Sequence, residues 1–162
     1  MKNWHQEKMI INDTNIDHSN SVPITELMKM FEVVTFNHSN ILELDHITMK
    51  ERSNAFWVVT KMKVIPCSQI LSGDKVCVTT FTHDLGTARA LRDCIIKSGN
   101  KIKAKFTSEW CCLDYETRKL RRMNTIVYPS VEMEKTNFIK TNFSNIRVNV
   151  IEKDFVYERT IR

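Results

Sequence analysis

The residues best placed for chemistry in this 162-residue chain lie just ahead of its first helical pattern. The stretch "NIDHSNSVP" gathers Asp17, His18, Ser19 and Ser21 into one short loop. A carboxylate before a helix can activate water against a carbonyl, and the helix's first N–H groups can stabilise the oxyanion that forms. Asp17 is therefore the candidate catalytic group. The same residue types are also ordinary turn and capping material, and capping alone accounts for them. His38 falls on the apolar stripe of the helix, where a histidine usually has a structural hydrogen-bond partner. No group that would position it for proton transfer is legible. His83 and Asp84 read as solvated turn residues, and His5, His18 and His46 lack metal-ligand spacing.

The cysteines are Cys67, Cys77, Cys94, Cys111 and Cys112, five in all and with no C-x-x-C. That is the pattern of reduced thiols and not of a disulfide framework. In a strand, the adjacent Cys111 and Cys112 point to opposite faces and cannot ligate one ion without a kink. Neither a metal site nor a cofactor is expected. The last chemical cluster is basic: "DYETRKLRRM" carries Arg118, Lys119, Arg121 and Arg122, partly offset by Asp114 and Glu116. Nucleic-acid binding calls for a wider basic stripe with stacking aromatics. The net charge of +5, from 24 basic against 19 acidic residues, is a mild excess that permits an acidic partner. A solvated strand end that discourages edge pairing has the same composition.

These groups need a scaffold. From Pro23 onward, Ile24, Leu27, Met28, Phe31, Val34 and His38 recur at helical spacing. Pro23 suits a first turn, Ser19, Asn20 and Ser21 are candidate caps, and Glu26 favours the helix N-terminus. Met30, Val33 and Phe36 widen the stripe, so burial on more than one side is expected. "HQEKMIIND" before the helix reads as a short strand. After it come "NAFWVVTKMKVIP", "DKVCVTTFTH", "TARALRDCIIKSG" and "NKIKAKFTSEWCCLD", punctuated by "SGD", "DLG" and "SGN" turns. Long strands with short connections form an antiparallel meander. One largely apolar helix is best buried by a sheet that curls around it. The expected class is α+β, a hotdog fold with a long antiparallel sheet wrapped around one central helix.

The chain is 42% hydrophobic and 27% charged, which supplies a real core for one domain, and its 3 Gly and 3 Pro argue against long disordered linkers. No apolar run reaches the ~18 residues of a membrane span. The N-terminus lacks a signal peptide's apolar core and a transit peptide's Arg/Ser bias, so a cytoplasmic location is expected. The tail changes character. "YPSVEMEKTNFIKTNFSNIRVNV" reads as a connector, and "EKDFVYERTIR" alternates like a fresh strand. The expected organisation is a domain at 1–127, a connector at 128–151 and the opening strand of a second, absent hotdog domain at 152–162.

An ordered string of residues resembles the acyl-acyl-carrier-protein (acyl-ACP) thioesterases. It comprises Trp57, Pro66, Gly73-Asp74, Thr80-Phe81 where that family has Thr-Trp, Arg92-Asp93, Gly99, Ser108-x-Trp110, Asp114 and Thr117-Arg118-Lys119. The resemblance covers about a hundred residues, and it is the order that carries it rather than any single piece. It implies two tandem hotdog domains, of which this chain holds the first, with most catalytic residues in the second. Laid on the family's Asp-x-Asn-x-His stretch, Asp17 falls at the Asp, Ser19 at the Asn and Ser21 at the His. Two of those three positions have changed, and His18 is one step off.

The resemblance implies that Met28, Phe31 and Trp57 bind the acyl chain, although such residues also serve as plain core. It makes Arg118, Lys119, Arg121 and Arg122 a docking patch for the acidic acyl carrier protein. The implied activity is hydrolysis of fatty acyl thioesters, with this chain as the pocket-forming half. A non-catalytic acyl-thioester or fatty-acid-binding hotdog protein is the alternative. A dehydratase would need a histidine with an acidic partner at the pocket, and no convincing pair is legible. A homodimer or a second hotdog domain is the expected partner, with no nucleic acid and no membrane.

Overall fold

A computed structural model describes residues 1–83 and 85–132. In chain order these form β1 (Trp4–Ile10), α1 (Ile24–Ile41), α2 (His46–Ser53), β2 (Ala55–Pro66), β3 (Lys75–Thr82), β4 (Ala90–Ser98), β5 (Lys101–Asp114) and a short β6 (Leu120–Arg121). Every pairing among these strands is antiparallel, in the order β1-β3-β4-β5-β2, with β6 added beside β5. With α1 packed against this sheet, the architecture is the hotdog fold. Beyond residue 132 the expected connector, and with it the whole 152–162 strand, lies outside the described residues. No helix among the described residues is long and apolar enough to cross a membrane.

The helical spacing produces the expected α1, but its burial is one-sided. Leu27, Met30, Phe31, Val34, Thr35 and His38 are buried, whereas Met28 is 42% and Phe36 57% exposed. The sheet covers one flank of the helix and leaves the other apolar flank open, so the expectation of burial on more than one side is corrected. Capping differs as well. Pro23 occupies the N-cap with no side-chain bond. Ser19 and Ser21 hydrogen-bond to each other, and Ser19 donates to Asp17, within the preceding loop.

The α2 helix was not expected. Asp45 caps it by accepting from the N–H groups of Ile47 and Thr48, and Asn54 closes it in the left-handed conformation at φ 46°. Its Met49 is buried with Leu42, Leu44, Ala55 and Cys112 in one core cluster. The larger cluster lies under α1, where Phe31 stacks on Phe106 with ring centroids 5.4 Å apart, beside Val76, Val78 and Ile96.

Strand β2 contains an irregularity. Val59 pairs with Trp110 and Lys61 with Glu109, leaving Thr60 as an extra residue whose hydroxyl donates to the Glu109 carbonyl at 3.0 Å. The bulge keeps the apolar residues of both halves turned toward the helix. Ala55 and Trp57 pack on one core cluster, and Met62 and Val64 on the other. Cys111 and Cys112 are consecutive residues of β5, both buried, and burial raises the pKa of both thiols.

Candidate active site cleft

The open flank of α1 and the facing strand β2 form the walls of a cleft of about 430 Å³. Met28 and Phe36 from the helix, Trp57, Val59 and Met62 from β2, and Trp110 from β5 make it apolar. Its charged residues are Glu32 and Asp45. Thr35, Ser39, Leu44, Trp57 and Trp110 also line a smaller cavity of about 60 Å³, so the two spaces adjoin. The smaller cavity adds Thr82, His83, Arg92 and Tyr128 to the lining, which makes that end polar.

That polar end is a built network. Arg92 is 7% exposed, and its Nη1 donates to His38 Nδ1 at 2.9 Å and to Thr80 Oγ1 at 3.1 Å. Burial and the neighbouring guanidinium lower the His38 pKa to about 4, so at neutral pH the imidazole is uncharged and accepts this bond. Burial lowers Arg92 to about 10, which still leaves it cationic. Burial also raises the Tyr128 pKa, which keeps the phenol protonated. His83, expected in solvent, instead places Nε2 3.0 Å from the carboxylate of Asp93, which is 3% exposed. The pair was not legible because it spans the β3–β4 turn. Register sets it, with Phe81 opposite Asp93 and Thr82 opposite Arg92. Of these groups, Arg92 and Asp93 left a trace in the sequence: two adjacent charges inside the otherwise apolar "ALRDCII", which also stand in the ordered string of residues given above.

The family model for the acyl-ACP thioesterase N-terminal domain matches residues 2–130. The chain belongs to this family. Its fold is similar to a putative oleoyl thioesterase from Lactobacillus plantarum, with a TM-score of 0.70, 16% identity, and coverage of 86% of this chain and 59% of that one. It is also similar to an acyl-ACP thioesterase from Bacteroides thetaiotaomicron, with a TM-score of 0.68, 16% identity, and 86% and 60% coverage. A probable thioesterase from Bartonella henselae is covered almost completely, at 98%, with a TM-score of 0.65, 17% identity and 74% of this chain matched. This chain thus spans about 60% of the two longer relatives. No curated protein sequence matches it.

In this acyl-ACP thioesterase N-terminal domain, Met28, Phe31 and Trp57 meet along the cleft, with Phe31 serving the core as well. Asp17 lies apart from them. Its Oδ1 accepts from the Ser19 N–H at 2.9 Å and from the Ser19 hydroxyl at 2.5 Å, and these bonds, the hydroxyl's first, lower its pKa. It lines neither the cleft nor the cavity. The basic residues divide. Arg121 donates to the Ser53 carbonyl at 3.0 Å and to Asp114 at 3.2 Å, tying β6 to α2. Arg118, at φ 59°, stacks over Phe56 with its guanidinium 4.9 Å from the ring centroid. Lys119 and Arg122 are exposed. Among the described residues no cluster of three or more His, Cys, Asp or Glu has metal-binding geometry.

Proposed function

We propose that this chain is the acyl-pocket half of a fatty acyl-ACP thioesterase, its cleft holding the chain of a fatty acyl thioester. The single observation that carries this reading is the apolar cleft between α1 and β2, walled by Met28, Phe36, Trp57, Val59 and Met62. An acyl chain needs such a surface, and exposing it otherwise costs free energy. The acidic carrier protein docks through the exposed Lys119 and Arg122 with Arg118, while Arg121 supports them from below. The catalytic half is a second hotdog domain or a second copy of the chain. Strand β2 stands last in the sheet and has a partner on one side among the described strands, which suits side-by-side pairing.

A second reading has its own support. Asp17 is engaged in its loop turn and lies outside the cleft, which favours a domain that binds acyl groups without hydrolysing them. One experiment separates the two. A panel of acyl-ACP thioesters is offered to the 162-residue chain, free thiol and acyl-ACP binding are both measured, and Asp17→Ala is run beside it. Binding without turnover fits both readings, and turnover gained when the catalytic second hotdog domain of a relative is added selects the pocket half, while turnover by the chain alone that is lost in Asp17→Ala would replace both with a self-sufficient enzyme. Absence of acyl-ACP binding would overturn the proposal.

A further inference from the structure

The small polar cavity beside the cleft has a chemistry that a thioester does not use. Arg92 is a buried cation, yet no carboxylate among the described residues forms a salt bridge with it. Its described partners, the neutral His38 imidazole and the Thr80 hydroxyl, both bond to Nη1. The guanidinium fork carries further donors on Nη2 and Nε, in a geometry that matches a carboxylate. Beside it Thr35 is 6% exposed, and its hydroxyl is buried with no hydrogen-bond partner. Thr35 lines both the polar cavity and the apolar cleft, at their junction. Buried charges are normally paired and buried hydroxyls normally bonded, so two such groups at one cavity indicate an external acceptor.

We propose that this cavity binds the carboxylate of a free fatty acid, with Arg92 as the counter-ion, Thr35 as a second donor and the hydrocarbon chain lying out along the α1–β2 cleft. The cavity's volume of about 60 Å³ admits a carboxylate, since roughly 10–15 Å³ of such space holds one water. Glu32 and Asp45 stand along the wider cleft and not in this cavity, so the head group's charge selects the inner end. A fatty acid seated this way occupies the space an acyl thioester would fill, with its charged end inward. The domain would then sense the product class of the reaction proposed above. The inference shares the cleft with that reading and requires neither hydrolysis nor a carrier protein.

The test is titration calorimetry of the full chain at neutral pH with decanoate, methyl decanoate and decanol. Decanoate binds at least about tenfold tighter than its ester or alcohol, the ordinary contribution of a charge-assisted hydrogen bond. Arg92→Met abolishes that preference while retaining ester binding, which also reports that the variant is folded. Thr35→Val, nearly isosteric, weakens decanoate several-fold relative to the ester. Equal affinity of acid and ester in the wild type overturns the proposal, whether or not Arg92→Met folds. A preference retained in a folded Arg92→Met also overturns it, since the carboxylate would then sit elsewhere. Decanoate binding with no acyl-ACP binding upholds this site and rejects the function proposed above. The converse result does the opposite.

Discussion

His38 Nδ1 and Arg92 Nη1 meet at 2.9 Å in the interior, a neutral imidazole accepting from a buried guanidinium. The bond exists only while His38 is unprotonated. Its pKa falls from 6.5 to about 4 on folding, so below pH 6.5 the unfolded chain binds a proton that the native chain refuses. Stability is therefore complete above pH 6.5 and is lost as pH falls toward 4. Between neutrality and about pH 5 the loss is roughly 2 kcal/mol. Urea denaturation of the wild type and His38→Gln across that range checks it. The variant shows a shallower slope, and parallel curves would contradict the assignment.

Phe31 belongs to the core and the cleft at once. Phe31→Ala removes a side chain that is 2% exposed and stacked on Phe106, and should cost about 3–5 kcal/mol of stability by denaturant titration. A loss below about 1 kcal/mol would show that the two rings do not anchor α1 to the sheet.

Met28 tests the cleft without touching the core. It is 42% exposed, so Met28→Glu should leave stability within about 0.5 kcal/mol. The same change sets a carboxylate on the apolar wall and should weaken acyl-chain binding about tenfold or more. Unchanged acyl affinity in a folded Met28→Glu would place the chain elsewhere.

The basic run should split into two phenotypes. Lys119→Glu and Arg122→Glu are expected to weaken carrier-protein binding and flatten its salt dependence, with stability unchanged. Arg121→Ala removes donors to the Ser53 carbonyl and Asp114, and should lower stability by about 1–2 kcal/mol. Surface plasmon resonance at two salt concentrations, beside thermal melts, separates them. Equal loss of binding in all three without any change in stability would argue for one undivided docking patch.

Strands β2, β3 and β4 were legible because each runs into a Pro or a Gly turn, β5 because it starts from one and is rich in aromatic and β-branched residues, and α1 because its stripe is long. The short α2 has few apolar positions, and its Asp45 cap could be recognised only beside a helix already suspected. The cleft was half legible: Met28 and Trp57 are apolar at suitable places, but which flank of α1 stays open depends on how far the sheet curls. The polar end was hardly legible. Thr35 and His38 come from the helix, Thr80 and His83 from β3 and the turn after it, and Arg92 and Asp93 from β4, so only strand register and helix docking bring them together. Asp17 looked chemical because its neighbours are Ser and His, and those neighbours turn out to be what holds it in its turn.

The extra residue in β2 has an evolutionary corollary. A strand is read two residues at a time, so it has a phase, and Thr60 shifts that phase midway. Removing Thr60 would only straighten the strand, because Val59 and Lys61 already stand opposite the consecutive Trp110 and Glu109; one residue more would act on the protein as a frameshift acts on a message, and all residues on one side of the lesion would exchange inside for outside. Inserted between Lys61 and Met62, for example, such a residue would turn Met62 and Val64 outward and Lys63 toward the helix. Among descendants of this sequence, loss of Thr60 should be tolerated, whereas single insertions within β2 should be purged unless a deletion restores the phase, even though each adds only one amino acid.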